Sequence, residues 1–204
     1  MRVKTEAKRQ AIVAAAAEVF QEAGFEGASM AVIATRVGGS KATLYSYFPS
    51  KEELFIEVMR TAGERQFQPI VAGLGDGSAD PGKTLQNFGE KMLASSCGET
   101  FVQTRRALIS ESGRSDIGLR FFQAGPQKGL QQIAIYLETQ MTLGRLKKTD
   151  PLLAAMQLNA LLECETVMPL LLGVVKPPSP AQIRLAVRRA LKTFFAAYAP
   201  ETAC

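Results

Sequence analysis

The chain has 204 residues, and 24 lysines and arginines against 19 aspartates and glutamates give it a formal net charge of +5 at pH 7. Apolar residues make up 47% and charged residues 21%, which is typical of a folded globular protein and not of a disordered one. Histidine is absent, which excludes imidazole bases, Ser-His and Cys-His nucleophile pairs and histidine-ligated metals.

Nothing in the sequence indicates secretion, a membrane span, a metal or a cofactor. The three cysteines are scattered and form no C-x-x-C pair, which predicts reduced thiols in a cytoplasmic protein. The charged opening MRVKTEAKRQ leads into an Ala-rich amphipathic stretch, so we expect no signal peptide. The most apolar run, 152–175, carries Glu163 and Glu165, and two carboxylates are costly in lipid, so we expect no membrane span.

Helix signals are dense along the chain, and strand signals are nearly absent. Apolar residues recur at helical spacing, and Ser, Asp, Gly and Pro mark the starts and ends of the segments. The predicted helices are one ending at Gly24, one over 29–37, one from Ser40 to before Pro49, one opened by a Ser50–Glu53 capping box, and then about 82–97, 99–112, 115–124, 127–143, 152–172 and 181–198. The sequence therefore predicts an all-α protein of nine to ten helices.

The segment Gly27–Lys51 reads GASMAVIATRVGGSKATLYSYFPSK and contains three basic residues and no acid. Two short helices joined by a tight glycine turn match a helix-turn-helix. The turn needs a residue that tolerates a positive φ, and Gly38 or Gly39 supplies it. A basic segment without carboxylates is suited to contact with DNA phosphates.

The apolar residues of this segment divide it into an inner and an outer face. Val32, Ile33 and Val37 are predicted to pack inward together with Leu44 and Phe48, which are four residues apart and so share a helix face. The remaining side chains of the second short helix are small, hydroxyl-bearing, aromatic or basic, which suits entry into a major groove.

The string SKATLYSYFPSKEELF resembles the recognition region of the TetR/AcrR family of transcriptional repressors, whose pattern is roughly Ser-x-x-Thr-Leu-Tyr-x-x-Phe-x-x-Lys-x-x-Leu. The matching residues are Ser40, Thr43, Leu44, Tyr45, Phe48, Lys51 and Leu54. With the upstream stretch GFEGASMAVIATRVG, the resemblance covers about residues 8–60. Gly39 departs from the pattern, because the family usually has Val or a similar apolar residue there. The C-terminal half more weakly resembles AefR-like members.

The resemblance implies an all-α homodimer with a DNA-binding domain over 1–50 and a ligand-binding and dimerisation domain over 51–204. It implies phosphate contacts by Ser29, Thr43, Tyr45 and Lys51. It also implies base contacts by Lys41, Ala42, Ser46 and Tyr47, and Ser40 completes the predicted DNA-binding set. Plainer interpretations stay open, with Tyr45 as a core aromatic and Lys41 and Lys51 as ordinary solvated lysines.

A second basic cluster consists of Arg2, Lys4, Lys8 and Arg9. A flexible basic arm could reach a minor groove or a phosphate. A frayed, charged terminus without contacts is an equally good interpretation of the same residues.

The two C-terminal predicted helices need a large apolar partner. The helix 152–172 is apolar nearly all round, with a kink expected about one turn before Pro169, and the helix 181–198 is amphipathic. The resemblance implies that these helices form the homodimer interface. Burial within one chain is the alternative.

By the same resemblance, a small-molecule effector pocket is expected among the helices between about 55 and 175. The candidate lining residues are Phe88, Met92, Phe101, Arg105, Phe121, Phe122, Tyr136 and Glu163. Core packing is the plainer interpretation of the aromatic residues and the methionine. Glu163 lies in an apolar helix and needs a partner, which could be Arg105 or Arg106, a residue across a dimer, or a cationic ligand.

We therefore expect a ligand-responsive repressor that binds a near-palindromic double-stranded DNA operator as a homodimer and is released by its effector. The alternatives are a transcriptional activator of the same fold and a helical small-molecule-binding protein without DNA function. An enzyme is disfavoured, because without histidine no Glu, Lys or Cys centre pairs convincingly.

Overall fold

The structure is a computed structural model, and it describes residues 5–200 of the chain. Its helices in that range are α1 Glu6–Gly27, α2 Met30–Arg36, α3 Lys41–Tyr47, α4 Lys51–Ala72, α5 Pro81–Ser96, α6 Glu99–Ser112, α7 Ile117–Ala124, α8 Pro126–Thr142, α9 Pro151–Glu163, α10 Val167–Leu171 and α11 Pro180–Tyr198. Residues 5–200 contain no β-strand. The predicted all-α fold is confirmed.

Side-chain caps begin several helices at the predicted places. The carboxylate of Asp80 accepts a hydrogen bond from the backbone N–H of Lys83 at 2.8 Å, and Asp150 caps α9 in the same way. Ser179 and Gln182 form a reciprocal capping box at the start of α11. Each of these caps is followed by proline at the first helical position, where the missing N–H costs nothing.

The prediction of one continuous helix over 152–172 is wrong. The segment forms α9 and α10, separated by residues 164–166, and Thr166 has non-helical angles of φ −122° and ψ −65°. The break lies just before Pro169, whose ring clashes with the carbonyl four residues earlier and whose nitrogen cannot donate to it. The expected kink is thus a full interruption. Gly24, the predicted stop of the first helix, interrupts α1 with φ 70° and ψ 177°.

The described residues form two compact units, each with its own apolar core. The first unit contains the residues up to Glu64 and Ala107–Ala124, and the second contains Arg65–Arg106 and the residues from Gly125 onward. By packing, the first unit thus includes the start of α4 and all of α7. The division into 1–50 and 51–204 stays a prediction about function.

The core of the first unit lies beneath the two short helices α2 and α3. Ile33 of α2 and Leu44 of α3 are buried against α1 and α4. Phe55 of α4 completes an aromatic cluster, with ring centroids 5.0 Å from Phe20 and 4.8 Å from Phe25. The helix-turn-helix is therefore supported by side chains of α1 and α4 that pack against its inner face.

Val32 does not pack inward as predicted. Its side chain is 49% exposed, whereas Ile33 beside it is fully buried. Helix α2 is only 7 residues long, so its inner face has room for few side chains. Val37 is half-buried at the edge of the core.

In the second unit α5 packs closely against α9 and α11. A Cβ atom added to Gly89 of α5 would lie 2.9 Å from Val187 Cγ1 and 3.0 Å from Leu162 Cδ2. The absent side chain at Gly89 lets the three helices approach this closely. Among residues 5–200, none of the helices combines the length and the apolar character needed to cross a membrane.

Candidate DNA-binding site

The site is built from α2, a glycine turn and α3. The Ser29 hydroxyl caps α2 by accepting from Val32 N–H at 3.3 Å, and the Ser40 hydroxyl caps α3 by accepting from Thr43 N–H at 3.1 Å. Gly38 takes a positive φ of 68° in the turn. These local interactions fix where both helices begin.

Gly39, the departure from the family pattern, has no positive φ. The nearest heavy atom to a Cβ added there would be Lys8 Nζ at 4.0 Å. The backbone therefore has the conformation and the space that an apolar side chain would need, and the glycine leaves that space unfilled.

Helix α3 has the two predicted faces. Leu44 and Phe48 are buried in the core of the first unit, and Tyr45 is 47% exposed. No other residue of the predicted DNA-binding set is fully buried, although Tyr47 packs against the core. The exposed residues, followed by the three half-buried ones, are Ser29, Ser40, Lys41, Ala42, Ser46, Thr43, Tyr47 and Lys51. The structure thus brings all the α3 candidates onto one short helix whose inner face is buried. DNA contact by each of them stays a prediction.

Two members of this set, Tyr47 and Lys51, also bond to α1 or its start. The hydroxyl of Tyr47 accepts a hydrogen bond from the backbone N–H of Thr5 at 3.0 Å, which ties the end of α3 to the start of α1. The ammonium of Lys51 donates to the carbonyl of Phe25 at 2.8 Å and lies 4.3 Å from the centroid of its ring. Lys51 thus completes the last turn of α1, in addition to its predicted phosphate contact.

The N-terminal basic cluster is only partly described. Arg2 and Lys4 lie outside the described residues. Lys8 donates to the carbonyl of Val37, the residue that follows α2, at 3.2 Å. Arg9 Nη1 donates to Glu57 Oε1 at 2.7 Å. Lys8 and Arg9 thus bind groups of the protein itself.

Glu57 is the centre of an ionic network in the first unit. It accepts from Arg60 Nε at 2.9 Å and Nη2 at 2.7 Å, besides Arg9, and Arg60 also donates to Glu64 at 2.5 Å. Hydrogen bonds from Arg60 and then from Arg9 lower the pKa of Glu57 from 4.5 to about 2, although burial acts in the opposite direction. Arg60 and Glu64 lie three and seven residues after Glu57 on α4, but the sequence contains no signal for the link to Arg9, which is 48 positions away.

The predicted effector residues are not gathered in one place. Phe121 and Phe122 belong to the first unit, and the other six belong to the second. The buried core of the second unit contains Phe88, Met92 and Tyr136, as the plainer interpretation, core packing, predicts. The ring of Phe101 packs against the ring of Phe67, with their centroids 5.4 Å apart. Their role in ligand binding stays a prediction.

Glu163 is paired with Arg105, one of its predicted partners. Its two carboxylate oxygens accept from Arg105 Nη1 and Nη2, both at 3.1 Å, across α6 and α9. The neighbouring Arg106 donates to the backbone carbonyls of Leu170 and Leu171, at 2.6 and 3.0 Å, at the end of α10. Two consecutive arginines thus hold both sides of the break between α9 and α10.

A groove of about 390 Å³ opens in the second unit between the end of α4, the loop after it and α8. Its lining residues are Gln68, Val71, Ala72, Leu74, Gly75, Asp76, Gln132, Ile135, Tyr136 and Thr139. The loop is fixed because Arg145 Nη1 donates to the carbonyls of Gly77 and Ala79, both at 2.9 Å. Of the predicted pocket residues, Tyr136 alone lines this groove. The others were chosen from helical periodicity, which does not show where the loop after α4 lies.

Two family models match the chain. Residues 12–58 match "Bacterial regulatory proteins, tetR family", and residues 83–200, more than half of the chain, match "AefR-like transcriptional repressor, C-terminal domain". The chain belongs to the TetR family of transcriptional regulators. The predicted resemblance, including its AefR-like C-terminal part, is confirmed.

Solved TetR-family structures match this regulator over nearly its whole length. A TetR-family transcriptional regulator from Mesorhizobium loti is 25% identical with a TM-score of 0.86, covering 97% of this chain and 100% of the other. The Flavonoid-responsive Regulator FrrA is 31% identical with a TM-score of 0.80, at the same coverage.

Curated relatives match about a third of this TetR-family chain. The transcriptional regulator RutR of Escherichia coli is 42% identical over 66 residues, 32% of this chain and 31% of RutR. The transcriptional activator FasR of Mycolicibacterium smegmatis is 37% identical over 73 residues, 36% of this chain and 32% of FasR. The chain thus aligns with about a third of the length of these relatives.

We predict that Glu57→Gln destabilises the protein at neutral pH and much less in acid. The pKa of Glu57 is about 2 in the folded protein and 4.5 ordinarily, so its stabilisation is fully present above 4.5 and is lost as the pH falls towards 2. The substitution should lower the free energy of unfolding by up to about 3 kcal/mol at pH 7 and by roughly half of that at pH 3.

Urea unfolding of the wild type and of Glu57→Gln at pH 7 and at pH 3 measures the change in the free energy of unfolding. Glu64→Gln is the matched control, since Glu64 is more exposed and bonds Arg60 alone in this network, and it should cost less than about 1 kcal/mol. An equal loss at both pH values for Glu57→Gln would contradict the prediction.

Proposed function

We propose that this TetR-family regulator is a ligand-responsive repressor that binds a near-palindromic operator as a homodimer and leaves it when a small-molecule effector binds. It acts in the cytoplasm, where its DNA is. The observation that carries the proposal is the two-sided α3, with Leu44 and Phe48 buried beneath and Lys41 and Tyr45 exposed above. An effector-binding protein without DNA function has no need of such a helix.

The chemistry of the exposed face supports contact with DNA. Between Gly27 and Lys51 there is no carboxylate to repel phosphates. Lys41 is a donor for guanine O6 and N7, Ala42 offers a methyl group to thymine, and the hydroxyls of Ser46 and Tyr45 pair with base or phosphate oxygens. A selection of duplexes from a random library with the purified protein gives the operator sequence and its symmetry.

We predict that Lys41→Ala and Tyr45→Ala each weaken binding to the selected duplex by about 1–3 kcal/mol, because each removes a contact from the exposed face of α3. Fluorescence anisotropy with a labelled duplex measures this, with circular dichroism to verify folding. Lys128→Ala, an exposed lysine of α8 in the second unit, is the matched control and should leave binding unchanged. Folded variants with undiminished affinity would refute the proposed recognition helix.

The proposed homodimer uses the outer face of α9, α10 and α11. This face carries large apolar side chains that one chain leaves in water, such as Leu172, which is 71% exposed. The exposed apolar residues of this region are Leu152, Leu153, Met156, Met168, Leu172, Val174, Val175 and Leu185. Large apolar side chains exposed in such number are typical of a protein interface. A second copy would cover them and place two α3 helices on successive major-groove faces.

We predict that Leu153→Glu combined with Met156→Glu produces monomers, because four carboxylates per dimer would be buried without partners. Sedimentation equilibrium measures the mass, and binding to the selected duplex should fall at least about tenfold as one half-site is lost. Leu143→Glu is the control, since Leu143 is also exposed but follows α8. A dimeric double variant would refute this interface.

The proposed effector is an uncharged aromatic molecule with hydroxyl groups. FrrA is described as flavonoid-responsive and aligns with 97% of this chain. The groove of the second unit supports the same chemistry, since it combines apolar residues with the amides of Gln68 and Gln132 and its one charged lining residue is Asp76. A carboxylate ligand would meet repulsion there. Effector binding favours a second state of the dimer, in which α4 has shifted. In that state the distance between the two α3 helices no longer matches the spacing of successive major-groove faces.

We predict that the flavonoid naringenin weakens binding to the selected duplex about 5- to 150-fold, which corresponds to a coupling of about 1–3 kcal/mol. Decanoate is the comparison ligand, because it is apolar but carries a carboxylate, and it should leave the duplex bound. Anisotropy titrations with and without each compound measure the change. Release by decanoate but not by naringenin would refute the proposed effector class, and tighter binding with naringenin would favour an activator or a co-repressor-dependent regulator.

A further inference from the structure

We infer that Arg9 is a positioning residue for the recognition helix α3 and not a DNA contact, and that it acts through Phe48 and Glu57. This inference rests on the proposed function, because it concerns how the same DNA-binding face is held. Arg9 belongs to the N-terminal basic cluster, and one interpretation of that cluster is an arm that binds DNA. The inference gives Arg9 a structural role instead.

Arg9 lies between two other helical elements of the first unit. Its Cζ atom lies 5.2 Å from the centroid of the Phe48 ring, and its Nη1 donates to Glu57 Oε1 at 2.7 Å. Phe48 follows α3 directly, and Glu57 lies in the second turn of α4. One guanidinium from α1 thus touches the end of α3 and the side of α4 at the same time.

Phe48 sets the lower end of the recognition helix. Its backbone N–H closes the last turn of α3 by donating to Leu44 O at 3.0 Å, and its side chain is buried. A guanidinium over an aromatic ring is attracted to the negative face of the ring. Phe48 is therefore held both by Arg9 and by the apolar core. Because Phe48 directly follows α3, its position determines how α3 is rotated about its own axis.

The charge of Arg9 is already used inside the protein. The Glu57 carboxylate that accepts from it is 12% exposed, and the Arg9 side chain is 34% exposed. Moving Arg9 to a phosphate would leave Glu57 with Arg60 alone and would uncover the Phe48 ring. Lys41 is different, because its side chain stands exposed at the start of α3.

The salt dependence of DNA binding separates positioning from contact. Each lysine or arginine that meets a phosphate steepens the plot of log K against log salt by about 0.9. Arg9→Met keeps an apolar stem beside Phe48 but loses the charge. We expect it to weaken binding to the selected duplex about 3- to 10-fold at every salt concentration, within the range of couplings inside one residue network, and to leave the slope unchanged. Lys51→Met, measured in parallel, removes the lysine that is predicted to contact a phosphate and should make the slope shallower by up to about 1.

Arg60→Met is the matched control. Arg60 bonds the same Glu57 carboxylate, but its bonds to Glu57 and Glu64 stay within α4. It should therefore leave duplex affinity unchanged. Hydrogen exchange gives an independent measure, since the Phe48 amide should exchange faster in Arg9→Met than in the wild type and at the wild-type rate in Arg60→Met.

The outcomes distinguish this inference from the proposed function. A slope that becomes shallower by about 1 in Arg9→Met would show that Arg9 meets a phosphate and would overturn the positioning role. Equal losses of affinity in Arg9→Met and Arg60→Met would also overturn it, because the effect would then come from general stability. A wild-type protein that binds no duplex would refute the proposed function, while the exchange rates of Phe48 would still decide whether Arg9 holds α3.

Discussion

The burial of Leu44 and Phe48 is the constraint on which the DNA-binding part of the molecule depends. Helix α3 has 7 residues, too few to be stable by itself in water. Its two apolar side chains lock it onto the core formed around Phe20, Phe25 and Phe55. Because those two positions are fixed, every other residue of α3 has a fixed direction. The exposed face is thus a product of the core beneath it.

Local signals made most of the fold predictable from the sequence. Caps such as Asp80 and Ser179 act within four residues of themselves, so their helices begin where the sequence indicates. The inner and outer faces of α3 follow from the spacing of Leu44 and Phe48. The break before Pro169 was foreseen only as a kink, because the sequence does not show whether α10 finds enough contacts to stand apart from α9.

The contacts that the sequence did not reveal join residues far apart in the chain. Glu57 meets Arg9 across 48 positions, and Arg145 meets the loop at Gly77 across 68. The groove exists because that loop is hydrogen-bonded to Arg145, which follows α8, and no helical pattern encodes this contact. Val32 was assigned inward because it is apolar, but so short a helix cannot bury every apolar residue it carries.

Two helices are shared by both cores. The first part of α4 lies in the unit that ends at Glu64 and its remainder lies in the other, and α6 changes units after Arg106. A helix propagates through hydrogen bonds between successive turns, so melting one half frays the other. Neither core can therefore denature alone without loosening helices that the other one needs. Heat should therefore unfold the two units together, and a substitution that destabilises the second core should also loosen the halves of α4 and α6 that lie in the first unit.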